Sequence, residues 1–384
     1  MDGRFEQALE ERKAKGLLRT LRGIEPARPG FVMRAGRELL DLSSNDYLGL
    51  AHHPALAQRA SEWAGAMGTG ARASRLVSGT LEAHLAVERK IAAFKGSETA
   101  LLMASGWQAN ATIFPALAAL FPKSQVFADR LVHASIHHGI AAARARQVRF
   151  RHNDYDHLAE LLGKREVSDD PPLIVTESVF SMDGDRADLA RLVQIAREHG
   201  AFLIVDEAHA TGALGPGGAG LSAALSDKPD LVMGTFSKAM GGFGAYVAGS
   251  RALIDYLVNT ASGLIYSTAL PPPVLGAIDA ALDIVPGMDA ERSHLASLAD
   301  QLRSGLQNLG FDTGTSDTQI VPLLVGEEKQ TLALAKSLEE KGVLGIAIRP
   351  PTVPAGSSRI RFALSSAHNV GDVDCVLEAI GAAA

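Results

Sequence analysis

Short, continuously apolar segments alternate with helical patterns from about residue 98 onward, and this alternation restricts the fold more than any other feature. Apolar segments of this kind are typical of strands that are buried on both faces of a mostly parallel sheet covered by helices. The predicted strands are Ala100–Ala104, Val126–Asp129, Leu173–Thr176, Phe202–Asp206 and Leu231–Gly234, with Tyr246–Ala248 as a further candidate. The sequence therefore predicts an α/β fold.

The residues on either side of this region suggest two further parts. We expect an N-terminal helix and arm in residues 1–40, a large domain in residues 41–285, and a smaller C-terminal α/β domain in residues 286–384. The C-terminal part has its own strand and helix patterns, which is why we separate it from the large domain.

Four basic residues near the N-terminus have helical spacing. Arg12, Lys15, Arg19 and Arg22 lie three, four and three positions apart, so a continuous helix would place them on one face. That face is either a solvated surface or a site for an anionic group of a substrate. Gly16 weakens such a helix by roughly 1 kcal/mol relative to alanine.

Composition excludes several classes of protein. None of the apolar stretches approaches the ~20 residues of a membrane span, and the charged N-terminus lacks the apolar core of a secretory signal. The single cysteine, Cys375, excludes an internal disulfide and is expected to be a small buried residue of a C-terminal helix. A net charge of −6 gives no general attraction to nucleic acid. We therefore expect a cytoplasmic enzyme with neither a membrane nor a nucleic acid as partner.

Chemically useful side chains follow two of the predicted strands. Asp206 ends one strand and His209 lies just beyond it, while Lys238 follows the next strand, close to Thr235. Ligands of such sheets bind beyond the carboxyl ends of the strands. A pyridoxal phosphate enzyme needs a lysine for the Schiff base, an acid that keeps the pyridine nitrogen protonated, and here an imidazole that can fix the ring oxygen. This set predicts pyridoxal 5'-phosphate as the cofactor.

Other strand ends add residues that suit the same cofactor. Ser105 and Gly106 precede a helical pattern, and the N-terminus of a helix favours a phosphate, although an ordinary helix start looks the same. His133 would stack on a flat cofactor or simply lie at the surface or in the core. Ser181 can donate a hydrogen bond, and the Thr235 hydroxyl can reach the phosphate.

Two other kinds of site are considered and set aside. The tetrapeptide "DEAH" that includes Asp206 also occurs in helicases, but their phosphate loop, G-x-x-x-x-G-K-[ST], is absent from this sequence. The adjacent pairs His52–His53 and His137–His138 lack the spacing and the partners of a metal site. We expect no bound metal.

Nearly the whole chain resembles the α-oxoamine synthase family of fold-type I pyridoxal phosphate enzymes. The resemblance implies a large domain with a mostly parallel sheet flanked by helices, and a smaller C-terminal α/β domain. The segments that carry it are "LSSNDYLGL" (Leu42–Leu50), "SGWQAN", "ADRLVHAS", "TESVFSMDGD", "VDEAHATG", "TFSKAMGG", "IYSTALPP" and "IRPPTVPAGSSRIRFALSSAH" (Ile348–His368).

The resemblance implies catalytic and ring-binding roles for five residues. Lys238 would form the Schiff base with the cofactor, and Asp206 would pair with the pyridine nitrogen. His209 would contact the ring oxygen, His133 would stack on the ring face, and Ser181 would contact the cofactor.

The resemblance also implies how the phosphate is held. Thr235 and the turn formed by Gly106 and Trp107 would bind the phosphate within one chain. Ser267 and Thr268 would reach the phosphate in the partner subunit, because members of the family are homodimers with active sites at the interface.

Substrate contacts follow from the same resemblance. Asn45 and Arg361 would bind the amino-acid carboxylate, for which the planar guanidinium is suited. Arg19 and Thr352 would bind the acyl substrate.

One segment departs from the family pattern. In "GTGARASRLVSG" (Gly68–Gly79), Arg72 and Ala73 stand where glycine or other small residues are common, which affects the shape of this loop and the selection of the acyl chain. Trp107, where a phenylalanine is common, is a milder change.

The implied activity is a decarboxylative condensation of L-alanine with a pimeloyl thioester, a step of biotin biosynthesis. The thioester carrier is either coenzyme A or an acyl carrier protein. Alternatives within the family use glycine or serine with other acyl groups. An alternative of another class, a non-catalytic partner subunit, would have lost the lysine, whereas Lys238 is present.

Overall fold

The computed structural model describes residues 2–14, 17–166 and 168–382. In these ranges the helices are α1 (Asp2–Ala14), α2 (Pro54–Met67), α3 (Glu82–Lys95), α4 (Gly106–Leu120), α5 (Ala134–Ala142), α6 (Tyr155–Gly163), α7 (Leu189–Glu198), α8 (Arg251–Thr260), α9 (Ser262–Ile265), α10 (Pro272–Ile284), α11 (Asp289–Asn308), α12 (Glu328–Glu340) and α13 (Val370–Gly381). The strands are β1 (Glu25–Pro26), β2 (Phe31–Arg34), β3 (Arg37–Asp41), β4 (Thr99–Met103), β5 (Gln125–Asp129), β6 (Arg146–Phe150), β7 (Leu173–Glu177), β8 (Phe202–Asp206), β9 (Leu231–Thr235), β10 (Ala245–Gly249), β11 (Ile320–Gly326), β12 (Val343–Leu344), β13 (Ile346–Ile348) and β14 (Ser358–Ala363).

A seven-stranded sheet forms the centre of the molecule, in the order β4-β10-β9-β8-β7-β5-β6. Only β10 runs against its neighbours, since it pairs antiparallel with both β4 and β9. The pairs among β9, β8, β7, β5 and β6 are parallel. The predicted mostly parallel sheet is confirmed, and all six predicted strands belong to it.

The sequence-based prediction missed β6. This strand, "RQVRF", lies at one edge of the sheet, and only Phe150 of its five residues is buried. An edge strand tolerates charged residues, which also protect it from pairing with other chains. Its polar composition therefore hid it from a search for continuous apolar runs.

Helices cover both faces of the sheet. Successive side chains of a strand point to opposite faces, so neighbouring residues pack against different helices. Leu101 packs in one apolar cluster with Ile113 and Phe114 of α4. Its neighbour Leu102 packs in the other cluster with Ile91 of α3. The two clusters account for the continuous apolar character of the strands.

Two smaller sheets involve the ends of the chain. One has the order β11-β14-β13 and is antiparallel, and the other has the order β1-β2-β3-β12. The apolar cluster that contains Leu102 also contains Ile360 of β14, so the C-terminal elements share a core with the central sheet. The domain boundaries at residues 40 and 285 stay predictions.

The prediction for the N-terminal helix is wrong in its extent. Helix α1 ends at Ala14, and residues 17–24 have no regular structure, so Arg19 and Arg22 do not share a helical face with Arg12. Lys15 lies outside the described residues. Helix α1 buries none of its residues, and without a buried apolar face little stabilises a longer helix.

Cys375 also differs from expectation. It lies in α13, as predicted, but its side chain is exposed, because Val373 and Val376 occupy the buried face of this helix. Within the ranges that the structure describes, none of the helices is both long and apolar enough to span a membrane.

Candidate active site

The carboxyl ends of β8 and β9 bring together the acid, the imidazole and the amine. Lys238 Nζ is 2.8 Å from His209 Nε2. Asp206 lines the same cavity of about 220 Å³, together with Thr235 and His133. The spacing seen in the sequence therefore corresponds to one site, because adjacent parallel strands end at the same edge of the sheet.

Asp206 is buried and fully hydrogen-bonded. Its Oδ2 atom accepts a hydrogen bond of 2.9 Å from Asn110 Nδ2, and its Oδ1 atom accepts one of 2.9 Å from the Ala208 backbone N–H. Asn110 also donates to Ser135 Oγ over 3.0 Å. Asn110 was not among the predicted site residues, although an amide in the mostly apolar helix α4 was an available indication.

His209 is buried between a hydroxyl and an amine. Its Nδ1 atom is 2.7 Å from the Tyr47 hydroxyl, and its Nε2 atom contacts Lys238. Burial, and then the positive charges of Lys238 and Arg361, lower the pKa of His209 well below its usual value. The imidazole is therefore neutral at physiological pH, with a proton on only one nitrogen.

The amine of Lys238 is tuned by its surroundings. Burial lowers the pKa of Lys238 to about 8, while the carboxylates of Asp206 and Glu177 oppose the shift. The nearby charge of Arg361 contributes to the lowering. A substantial fraction of the amine is therefore neutral near physiological pH, which a nucleophile or a base requires.

Glu177, at the end of β7, is a second buried carboxyl group of the cavity. Burial, and then the nearby charge of Asp206, raise the pKa of Glu177 well above its usual value. Its Oε1 atom is buried without a hydrogen-bond partner. Glu177 was not among the predicted site residues, although it directly follows the predicted strand Leu173–Thr176.

The N-terminus of α4 opens onto the cavity. The helix begins at Gly106, and the Ser105 side chain caps it by accepting from the Gln108 backbone N–H over 3.1 Å. Trp107 is 49% exposed, and its ring meets that of His133 edge-on at 6.2 Å. These backbone N–H groups suit an anion, and Trp107 and His133 form the open rim.

Thr235 and His133 are held by local hydrogen bonds. The Thr235 hydroxyl donates to the Gly244 carbonyl over 2.8 Å and accepts from Ser237 Oγ at 2.7 Å. His133 Nδ1 accepts from the Ser135 backbone N–H over 3.3 Å and caps α5. Both side chains therefore have fixed positions at the cavity wall.

A second cavity, of about 250 Å³, adjoins the first and shares Lys238 with it. Its polar wall is built around Arg361, which donates from Nε to the Ser181 carbonyl over 2.5 Å and from Nη2 to Asn45 Oδ1 over 3.1 Å. Tyr47 contacts the same Nη2 atom at 3.3 Å. The structure thus places the two predicted carboxylate-binding side chains together, next to Lys238.

Ser267 and Thr268 are not brought to the Lys238 cavity of the same chain. They line a separate small cavity, where Ser267 Oγ accepts from Gln108 Nε2 over 3.0 Å. Thr268 is exposed. Their place at the surface is compatible with the predicted contact to a partner subunit.

Arg19 and Thr352 line neither of the two cavities. Both are exposed, and their segments meet where Arg349 Nη2 donates to the Leu18 carbonyl over 3.4 Å. The two predicted acyl-binding residues thus lie on segments that approach each other at the surface.

The loop that departs from the family pattern has a strained residue. Arg72 has a φ of 68°, in the left-handed region that glycine adopts without cost. The loop is anchored by Arg75, which donates from Nη1 and Nη2 to Glu88 over 2.7 and 3.0 Å. Arginine at position 72 therefore retains the turn that a glycine would favour, at a cost in conformational energy.

A charged cluster lies at the carboxyl end of β5. His152 contacts Asp129 Oδ1 through Nδ1 at 3.0 Å and Asp185 Oδ2 through Nε2 at 2.8 Å. Burial alone would lower the pKa of His152, but the hydrogen bonds to both carboxylates raise it to about 10. The cluster ties the segment that carries Ser181 to the end of β5. Among the described residues, no group of three or more metal-binding side chains has the geometry to hold an ion.

Known proteins share both the sequence and the fold. A sequence model of the family described as aminotransferase class I and II matches residues 37–380. An 8-amino-7-oxononanoate synthase from Gluconacetobacter diazotrophicus is 58% identical over 385 residues, which cover 99% of this chain and 96% of the relative.

Solved structures give the same result. A serine palmitoyltransferase from S. paucimobilis with bound pyridoxal phosphate and myriocin has a TM-score of 0.90 and 28% identity, over 99% of this chain and 96% of the other. An 8-amino-7-oxononanoate synthase from Francisella tularensis has a TM-score of 0.78 and 26% identity, over 90% of this chain and 97% of the other. The resemblance found in the sequence is confirmed: the chain belongs to the aminotransferase class I and II family and, within it, to the α-oxoamine synthases.

Proposed function

We propose that this enzyme condenses L-alanine with a pimeloyl thioester to give 8-amino-7-oxononanoate, as its 58% identical relative is named for doing. One observation carries the proposal: a buried amine of lowered pKa, Lys238, adjoins a guanidinium, Arg361, that can bind a carboxylate. The first suits a reactive lysine and the second an amino-acid substrate. Carbon dioxide and the free thiol are the other products, so every atom of the two substrates is accounted for.

The residues of the first cavity, which contains Asp206, fit pyridoxal 5'-phosphate. Asp206 offers a buried carboxylate to the pyridine nitrogen, and the N-terminus of α4 at Gly106 suits the phosphate. The unpartnered Oε1 atom of Glu177 shows that the polar lining of this cavity is not satisfied by the protein alone. When bound, the cofactor supplies a covalent attachment point for the amino acid and an electron sink. Ser181 and Thr235 complete the proposed contacts.

Protein residues bind and orient the amino acid. Arg361 and Asn45 hold the carboxylate, which fixes the α-carbon beside Lys238. The neutral amine of Lys238 accepts the α-proton at Nζ, and His209 contacts this amine. His133, at the open rim, is placed to donate toward the thioester carbonyl.

The acyl chain has an apolar wall available. Met182, Ile346 and Ile348 line the second cavity together with Arg361, and Ile346 pairs with Arg361 between strands β13 and β14. We propose that the pimeloyl chain runs along this wall, and that Arg19 and Thr352 at the surface bind its distal carboxylate end. Arg19→Ala is then expected to raise the KM for a pimeloyl thioester at least tenfold without changing the KM for alanine. Equal use of pimeloyl and uncharged acyl thioesters by the parent enzyme would contradict this role.

A homodimer with shared active sites is part of the proposal. Large apolar side chains are exposed around the segment that carries Ser267 and Thr268, among them Val77 at 79% and Tyr266 at 85%. Exposed apolar side chains clustered in this way are typical of an interface. Mixing inactive Lys238→Ala and Thr268→Glu variants under subunit exchange is expected to restore activity, because each mixed dimer has one intact site. A monomeric parent protein would refute this part.

The decisive test combines absorbance with substrate choice. The purified protein with pyridoxal phosphate should show a visible band that Lys238→Ala removes, and alanine should be used in preference to glycine and serine. Acyl thioesters of short, dicarboxylic and long chains, on coenzyme A and on a carrier protein, then identify the donor. A protein without this band would refute the enzymatic function. A cytoplasmic location, which the single cysteine favours, belongs to the same proposal.

A further inference from the structure

The hydroxyl of Tyr47 connects the two cavities of the site. The side chain is fully buried. Its oxygen is 2.7 Å from His209 Nδ1, 3.0 Å from Asn45 Oδ1 and 3.3 Å from Arg361 Nη2. A single hydroxyl therefore touches the imidazole beside Lys238 and both side chains that we assign to the substrate carboxylate.

The Tyr47 hydroxyl cannot donate a hydrogen bond to both of its possible acceptors at the same time. It has one proton to donate, and it accepts from Arg361, which can only donate. The proton goes either to Asn45 Oδ1 or to His209 Nδ1. The imidazole is neutral and carries one proton. If Tyr47 donates to His209 Nδ1, the imidazole proton is on Nε2. If Tyr47 donates to Asn45, the imidazole proton is on Nδ1 and is donated to the Tyr47 oxygen.

The charged groups around this chain of contacts come from several elements. Arg361 lies on β14, Lys238 follows β9, and His133 precedes α5. The charges of all three lower the pKa of His209, in addition to its burial. Burial raises the pKa of Tyr47, while Arg361 opposes this shift. Tyr47 therefore keeps its proton at physiological pH and serves as a hydrogen-bond donor.

We infer, on the basis of the proposed function, that Tyr47 is a positioning residue for His209. By donating to Nδ1, its hydroxyl keeps the imidazole proton on Nε2, which faces the ring oxygen of the cofactor. The same hydroxyl contacts Arg361 and Asn45, so the position of this proton depends on the carboxylate site. In this arrangement the tyrosine proton points to His209 Nδ1 and the imidazole proton is on Nε2 instead of Nδ1, so the net charge of the site is unchanged. His209 then donates to an oxygen that carries negative charge, which a bare Nε2 would repel.

Tyr47→Phe removes the hydroxyl and keeps the ring. A matched control is Tyr246→Phe, because Tyr246 is equally buried and its hydroxyl bonds to Thr211 Oγ1 at 2.9 Å instead. Three measurements are made on protein loaded with pyridoxal phosphate: the pH midpoint of the visible absorbance, the dissociation constant of alanine from the absorbance change, and the ¹⁵N shifts of labelled histidine.

Tyr47→Phe is expected to shift the pH midpoint by half a unit or more and to weaken alanine binding about fivefold or more. The His209 proton, held on Nε2 in the parent, should be distributed over both ring nitrogens in Tyr47→Phe. Tyr246→Phe should match the parent in all three measurements. Asn45→Ala removes the competing acceptor, so its pH midpoint should move in the opposite direction. In Asn45→Ala the ¹⁵N shifts should place the His209 proton more completely on Nε2, so this variant tests the inference even where Tyr47→Phe fails to fold. An unchanged or reversed proton distribution in Asn45→Ala would overturn it.

Unchanged midpoint and alanine affinity in Tyr47→Phe would overturn the inference, as would equal shifts in Tyr246→Phe. Midpoints that move in the same direction in Tyr47→Phe and Asn45→Ala would also overturn it. A parent enzyme without a Lys238-dependent visible band overturns the proposed function itself, so the two failures are distinguishable.

Discussion

A buried ion pair lies directly beneath the active-site turn, and it should be sensitive to the loss of one partner. Lys95 Nζ and Glu207 Oε2 are 2.5 Å apart, and their side chains are 2% and 0% exposed. Glu207 also accepts from the backbone N–H and the hydroxyl of Ser222, both over 2.8 Å, while Lys95 donates to the Ala219 carbonyl. Burial alone would lower the pKa of Lys95, but Glu207 raises it above its usual value, so the amine of Lys95 stays charged.

Glu207→Gln leaves the ammonium of Lys95 buried without a counter-ion. Loss of one partner from a buried pair costs about 3–5 kcal/mol. An unfolding entropy of about 2.1 cal/mol/K per residue amounts to about 0.8 kcal/mol/K for 384 residues. The expected decrease in Tm is therefore about 4–6 °C, to be measured by scanning calorimetry.

Two further variants make the test specific. Lys95→Met combined with Glu207→Gln removes both charges, so its decrease in Tm should be smaller than the sum of the two single decreases. Arg186→Gln breaks an exposed ion pair, with Asp317, whose side chains are 46% and 43% exposed, and should lower Tm by about 1 °C or less. A Tm for Glu207→Gln within 1 °C of the parent, or strictly additive single effects, would refute the reasoning.

Three further predictions concern pH and backbone strain. His152, held between two carboxylates, has its pKa raised to about 10, so its stabilising charge is fully present below about pH 6.5 and is lost as pH rises toward 10. Urea unfolding should show this decline, and His152→Asn should flatten it. The pKa of Lys238 is about 8, and only its neutral amine reacts with pyridoxal phosphate. The rate at which the apoenzyme takes up pyridoxal phosphate should therefore rise with pH and level off above about pH 8. A rate that still rises at pH 10 would contradict this prediction. Arg72→Gly relieves a φ of 68° and should stabilise the fold by about 1 kcal/mol in urea unfolding, whereas Ala73→Gly, which relieves no such strain, should destabilise it.

Sequence patterns predicted the sheet well because its strands are buried on both faces. Phe202–Asp206 coincides with β8 residue for residue, and the other predicted strands differ from the observed ones by one residue at one or both ends. Polar residues that end such strands must face the edge of the sheet, so Asp206 and Lys238 could be assigned to one site before any coordinates were known.

Contacts between distant parts of the chain could not be predicted in this way. Tyr47 contacts His209, and Asn110 contacts Asp206, although both pairs are far apart in sequence. Local periodicity gives no information about such contacts. The pairing of Lys95 with Glu207 is of the same kind. The extent of α1 was wrong for a different reason, since charge spacing alone does not supply a buried face.

The antiparallel strand β10 has a consequence for how the molecule acquires activity. Strand β4 pairs with β10 alone, although β10 is made only after all the other strands of the central sheet. During synthesis, the apolar strand β4 therefore has no strand to pair with until residue 249 has left the ribosome. Pairing between segments this far apart in sequence slows folding, and the unpaired apolar strand favours aggregation. Helix α4 packs against β10, and its first residue, Gly106, lines the same cavity as Lys238. Cofactor uptake during refolding should thus be a late event, one that reports completion of the sheet.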